Sequence, residues 1–192
     1  SKLIRPHHEI DETATKAKLS RLRDAVGDIL PVREVRAPYY RSFRGDLSTE
    51  LAHLRGLEQI MLDMVDNPDW LHKLLAFMRD AILDVHAAAE TAGDWRLFDH
   101  LNQSMPYSRE LADPGTHLNP VRRKDLWCFM ASQETTLVSP EMFDEFMLQY
   151  QLPIMAPFGL AAYGCCEDLT RKIDILRKIK NLRRIAVTPV AD

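Results

Sequence analysis

The chain has 192 residues, 46% hydrophobic and 28% charged, with a net charge of −3. That size and balance fit one soluble globular domain, residues 1–192, with enough chain to bury a sizeable core. The acidic balance argues against nucleic acid as a main partner, and no stretch approaches the roughly 18 uncharged apolar residues that cross a bilayer. Three cysteines, two of them adjacent, make no disulfide framework, so a reducing cytoplasm is the expected compartment.

In chain order, the first periodic segment is Ile10–Val26, with Ala14, Leu19, Leu22 and Val26 near one side and acids in the first turn, where they complement the helix dipole. Asp28–Arg36 reads as a strand, although Pro31 places it away from a sheet centre. A loop of tyrosines, arginines and glycine follows over 37–46. Ser48–Val65 predicts a helix with Leu51, Leu54, Leu57, Met61 and Met64 inward, and Asn67-Pro68 ends it. Asp69–Thr91 predicts a second helix with Leu71, Leu74, Leu75, Met78, Ile82 and Val85 on its apolar stripe.

Trp95–Asn102 reads as a strand, and 104–124 as a long, proline-bearing loop. Leu126–Glu134 is an apolar run ending in polar residues, with Cys128 read as core. Ser139-Pro140 starts a helix toward Met155 that Pro153 is expected to kink. Leu160–Tyr163 is a short strand that stops at Gly164 before Cys165, Cys166, Glu167 and Asp168. A helix over about 168–179 and a β-branched final strand toward Asp192 complete the chain. Arg171–Arg184, half of it Lys or Arg, is read as a solvated face. Strands alternating with helices predict a parallel sheet or barrel, with ligands bound beyond the carboxyl ends of the strands.

Several stretches together resemble the uroporphyrinogen decarboxylase-like superfamily, close to its corrinoid-linked methyltransferase branch. They are Asp28-Ile-Leu-Pro-Val32, Leu54–Met64, Ser132-Gln-Glu134, Val138–Phe146, Tyr163-Gly-Cys-Cys-Glu167 and Asn181–Pro189. The resemblance spans most of the chain and is most specific in its last third. It implies a (β/α)8 TIM-type barrel with helices outside, and this chain supplies a portion of one, since such a barrel takes about 250 residues. Open edges would be covered by a second copy, a homo-oligomer.

The resemblance further implies an enzyme that moves a methyl group between a corrinoid or methylated small molecule and a thiol, with zinc as cofactor and a corrinoid protein as partner. The alternatives are decarboxylation of a tetrapyrrole-like polycarboxylate, or a non-catalytic ligand-binding fragment. In the methyltransferase branch zinc is held by a His-x-Cys pair and a later Cys. Cys165 falls on the first Cys position and Tyr163 stands where the His would be. No segment matches the arginine-rich substrate motif of the decarboxylases.

From the residues themselves, Cys165, Glu167 and His100 are the candidate metal ligands, because a thiolate is a natural zinc ligand and a site needs at least three protein donors. Glu134 and Tyr163 are the candidate catalytic residues. Asn102, Gln133 and Asp192 are candidate substrate contacts at predicted strand ends. If Tyr163 faces a barrel interior, Cys165 shares that face by strand alternation. The plain alternative is that Cys165 and Cys166 are small apolar residues at a strand-to-helix turn, and that Glu134 caps or salt-bridges. Gly-rich phosphate loops, Gly-x-Ser-x-Gly elbows and His-Glu-x-x-His motifs are absent from the sequence.

Overall fold

The computed structural model describes residues 3–38, 46–97, 108–113, 120–189 and 191–192. Helix α1 (Glu12–Val26) starts at Asp11, whose carboxylate accepts the Ala14 N–H at 2.8 Å. The next periodic run is two helices, α2 (Ser48–Arg55) and α3 (Leu57–Asp66), parted by Gly56 at φ +83°. α4 (Pro68–Thr91) has proline in its first turn and buries Leu71, Leu74, Leu75, Met78, Ile82 and Val85, the stripe its periodicity predicts.

Three short strands follow: β1 (Trp127–Met130), β2 (Leu160–Tyr163) and β3 (Leu182–Ile185). They form one parallel sheet in the order β1-β2-β3, with Met130 opposite Tyr163 and a register shift between β2 and β3 at Ala161/Ala162. The first crossover is α5 (Pro140–Phe143), a widened π turn (Asp144–Leu148) and α6 (Gln149–Met155). The widened turn ends at Leu148, next to α6, which carries Pro153 inside it. The second crossover is shorter than the sequence predicts: a 3-10 turn at Thr170–Lys172 and α7 (Ile173–Leu176).

All four β2 residues are buried. Cys128, Met130, Ala161 and Tyr163 share one face by alternation and register. The Tyr163 ring meets Phe143 of α5 edge to face at 6.1 Å, so this is the face the crossover helices cover. Below it, His86, Trp95 and Phe158 form an edge-to-face trio with centroids 5.4–5.8 Å apart. Asn181 ties the start of β3 to the end of α6, donating to the Met155 and Phe158 carbonyls at 3.0 and 2.8 Å.

The segment predicted as a strand over 28–36 is not one. Residues 31–36 pair with no described strand, and Ile29, Leu30 and Val35 are exposed. Trp95–Leu97 is likewise unpaired, and the rest of that segment lies outside the described residues. Thus the described chain is a mixed helix and strand fold with a small, open parallel sheet. No described helix is long and apolar enough to cross a membrane.

Candidate functional site

Because the strands are parallel, their carboxyl ends lie on one side, and the segments that leave them meet there. Two buried charges from the β2–β3 connection tie those segments together. Glu167, 1% exposed, accepts the Ser132 N–H at the end of β1 with one oxygen (2.8 Å) and the Cys165 N–H at the end of β2 with the other (2.7 Å). Lys172, 2% exposed, donates to the Thr135 and Thr136 carbonyls at 3.0 and 3.2 Å and lies over the Phe143 ring. Burial pulls the Lys172 ammonium below the usual lysine range, against the opposing pull of Glu167 and Asp168.

The segment between these two anchors carries Gln133 and Glu134. Glu134 is itself fixed: one oxygen accepts the Ser48 hydroxyl at 2.6 Å and the other the Thr49 hydroxyl at 2.9 Å, both from the first turn of α2. The Thr49 hydroxyl also reaches Asp46 at 3.2 Å. Gln151 of α6 closes the arrangement from below. Its amide nitrogen donates to the Asp46 and Ala131 carbonyls at 2.7 and 2.9 Å, and its oxygen accepts the Tyr163 hydroxyl at 2.7 Å.

Beyond Tyr163 the chain turns sharply. Gly164 sits at φ +100°, and a Cβ there would meet Leu169 Cδ1 at 2.7 Å and Ala186 Cβ at 3.2 Å. The turn ends strand alternation and brings the Cys165 and Cys166 sulfurs to 3.6 Å, the first half-buried and the second exposed. Burial pushes the Cys165 thiol up to about 11, with the Cys166 thiol and the Glu167 and Glu134 carboxylates adding to the shift. Cys165 is therefore protonated at neutral pH.

The candidate residues separate accordingly. Glu134, Cys165 and Glu167 lie around the carboxyl ends of β1 and β2. Gln133 is exposed beside Glu134. Tyr163 is fully buried on the helix-covered face, and burial raises its hydroxyl well above the usual tyrosine range. Its hydroxyl props Gln151, the side chain that reaches the Asp46 and Ala131 carbonyls beneath Glu134. Asp192 is exposed seven residues past the end of β3, and its backbone N–H donates to the Thr170 hydroxyl at 2.9 Å. His100 and Asn102 lie outside the described residues.

For zinc, the described residues carry only part of the expected donor set, since His100 lies outside them. Both Glu167 oxygens already hold backbone N–H groups, and among the described residues no group of three or more His, Cys, Asp or Glu side chains could hold a metal ion. The described residues thus fall short of the three protein ligands zinc takes.

Ser48, Thr49, Gln151 and Lys172 escape a reading of the sequence alone. Lys172 sits in the basic run read as solvated, where its flanking neighbours Arg171, Arg177, Lys178 and Lys180 are exposed. Only an acid five residues upstream hinted that this cation turns inward. No family model, curated protein or solved structure matches this chain.

Proposed function

We propose that the chain is the site-bearing portion of a (β/α)8-type barrel enzyme of the uroporphyrinogen decarboxylase-like group, and that it transfers a methyl group from a corrinoid or methylated small molecule to a thiol. The observation that supports this reading is that Glu134 and Cys165 both lie beyond the ends of parallel strands, near enough for the Glu134 charge to raise the Cys165 thiol. A carboxylate held by two hydroxyls and a cysteine whose backbone N–H is fixed by Glu167 are preorganised, which is how a site lowers the cost of positioning.

In this reading the substrate thiol loses its proton to Glu134 as its sulfur bonds to the methyl carbon. The bond from that carbon to its donor breaks, and the electron pair stays with the donor. Cys165 borders the reacting groups and the exposed Gln133 amide meets substrate. The test uses methylcobalamin as methyl donor and 2-mercaptoethanol as acceptor with the full chain. Loss of the methylcobalamin absorbance and appearance of the methyl thioether are expected, at least about tenfold faster than with Cys165→Ser or Glu134→Gln. Equal rates for all three proteins, or none above buffer, would reject the proposal.

A further inference from the structure

The two adjacent thiols have a use that methyl transfer does not require. A peptide bond links Cys165 to Cys166, and strand alternation would send their side chains to opposite faces. Gly164 at φ +100° cancels that alternation, so both sulfurs emerge together at 3.6 Å, one half-buried and one exposed. The turn is held on both sides. Gly164 N–H donates to the Met130 carbonyl at 2.8 Å, Cys165 N–H to Glu167 at 2.7 Å, and a buried Leu169 packs against Gly164.

That separation suits a bridging atom better than a disulfide. A disulfide needs sulfurs about 2.05 Å apart, which this braced turn would have to distort to reach. One atom bonded to both sulfurs at about 2.3 Å holds them about 3.4–3.8 Å apart, as the angle at that atom runs from about 95° at a pyramidal centre to tetrahedral. The observed spacing falls close to this bite.

We infer that Cys165 and Cys166 form a chelating dithiol for a soft electrophilic centre that takes two sulfurs on one atom, of which trivalent arsenicals are the type. The reaction is a condensation without net oxidation. Two As–S bonds form, the bonds from arsenic to one oxide oxygen break, and the two thiol protons leave with that oxygen as water. The inference is independent of methyl transfer, because its readout is a covalent adduct.

The test is intact-mass analysis of the reduced full chain with phenylarsine oxide. One adduct is expected, of protein plus reagent minus one water. It should survive excess glutathione, a monothiol, and be removed by 2,3-dimercaptopropanol. Cys166→Ser, a change at an exposed position, should abolish the glutathione-resistant adduct, as should Cys165→Ser, whereas Cys128→Ser should retain it. The folded chain should also hold the reagent at least about tenfold more tightly than the chain in urea, since a preorganised turn has less freedom to lose. An adduct that persists in Cys166→Ser, that glutathione strips, or that the unfolded chain holds equally well would overturn the inference.

Discussion

His86 is a base that the fold keeps from taking a proton. Burial, with the nearby Arg123 charge adding to it, lowers its pKa from 6.5 to about 3. The unfolded chain therefore binds one more proton than the folded chain between those values. Stability is fully present above about pH 6.5 and is lost as pH falls toward 3, by up to about 1.4 kcal/mol per pH unit. His86→Phe keeps a ring against Trp95 and Phe158 and removes the titration. Urea unfolding at pH 7.0 and pH 4.5, a window taken within that range, should show a smaller loss for the variant. An identical loss would mean that His86 is not shielded. Glu167 acts through hydrogen bonds, each of its carboxylate oxygens accepting one backbone N–H. Glu167→Gln turns an amide N–H toward one of them and should cost about 1–3 kcal/mol. It should also let the Cys165 thiol ionise at lower pH, because one of the carboxylates that raises it is gone. Iodoacetamide alkylation of Cys165 across pH, with peptide mapping, reads this shift. An unmoved profile with unchanged stability would show that Glu167 does neither job.

Among the elements, Gly56 and Gly164, two of the three described glycines with positive φ, separate backbone strain from steric conflict. A Cβ on Gly56 at φ +83°, between α2 and α3, meets nothing within 4 Å, whereas one on Gly164 meets Leu169 at 2.7 Å. Gly56→Ala should thus cost about 1 kcal/mol for conformation alone, and Gly164→Ala should cost more by the amount its neighbours must yield. Chemical denaturation of both variants checks the order, and a smaller cost at Gly164 would contradict the packing around the turn. Gly164 was legible in the sequence because an apolar run stopped at it, and β2 forms over the residues where that run lay. α4 was legible for the same local reason, since its stripe repeats at helical spacing. Residues 28–36 misled because apolar and β-branched residues report a preference, whereas a strand also needs a partner that the local sequence cannot name. The single helix read over 48–65 divides because Gly56 adopts an extended positive-φ conformation that no helical pattern encodes. The site was half legible: the strand ends exposed Glu134, Cys165 and Glu167 as chemistry. Their partners Ser48, Thr49, Gln151 and Lys172 come from distant segments, and only the folded crossovers bring them near.

At the scale of the molecule, protection is unevenly distributed. α1 buries none of its fifteen residues. Its described ties are polar: Glu12 pairs with Arg36, which also bonds Asp94 at 2.6 Å and Glu34 at 2.8 Å, and His8 reaches the other Asp94 oxygen at 2.7 Å. Burial pushes the Asp94 carboxyl up, but the hydrogen bonds from His8 and Arg36 outweigh it and hold the group below the usual range. Its contribution to stability is present above the unfolded carboxylate pKa and fades as pH falls through the lower folded value. This clasp fixes the segments flanking α1 to the end of α4, yet the helix between them lacks the packed face from which most helical stability comes. α4, by contrast, buries nine residues. Hydrogen exchange with mass-spectrometric readout should therefore show α1 amides exchanging at least about a hundredfold faster than those of α4. Arg36→Ala, which cuts the tie to Glu12 and one of the two to Asp94, should release α1 further while leaving α4 unchanged. Equal protection of α1 and α4 at micromolar protein, lost on dilution, would instead mean that a second copy covers the exposed side of α1, where Leu22 lies 51% open to solvent.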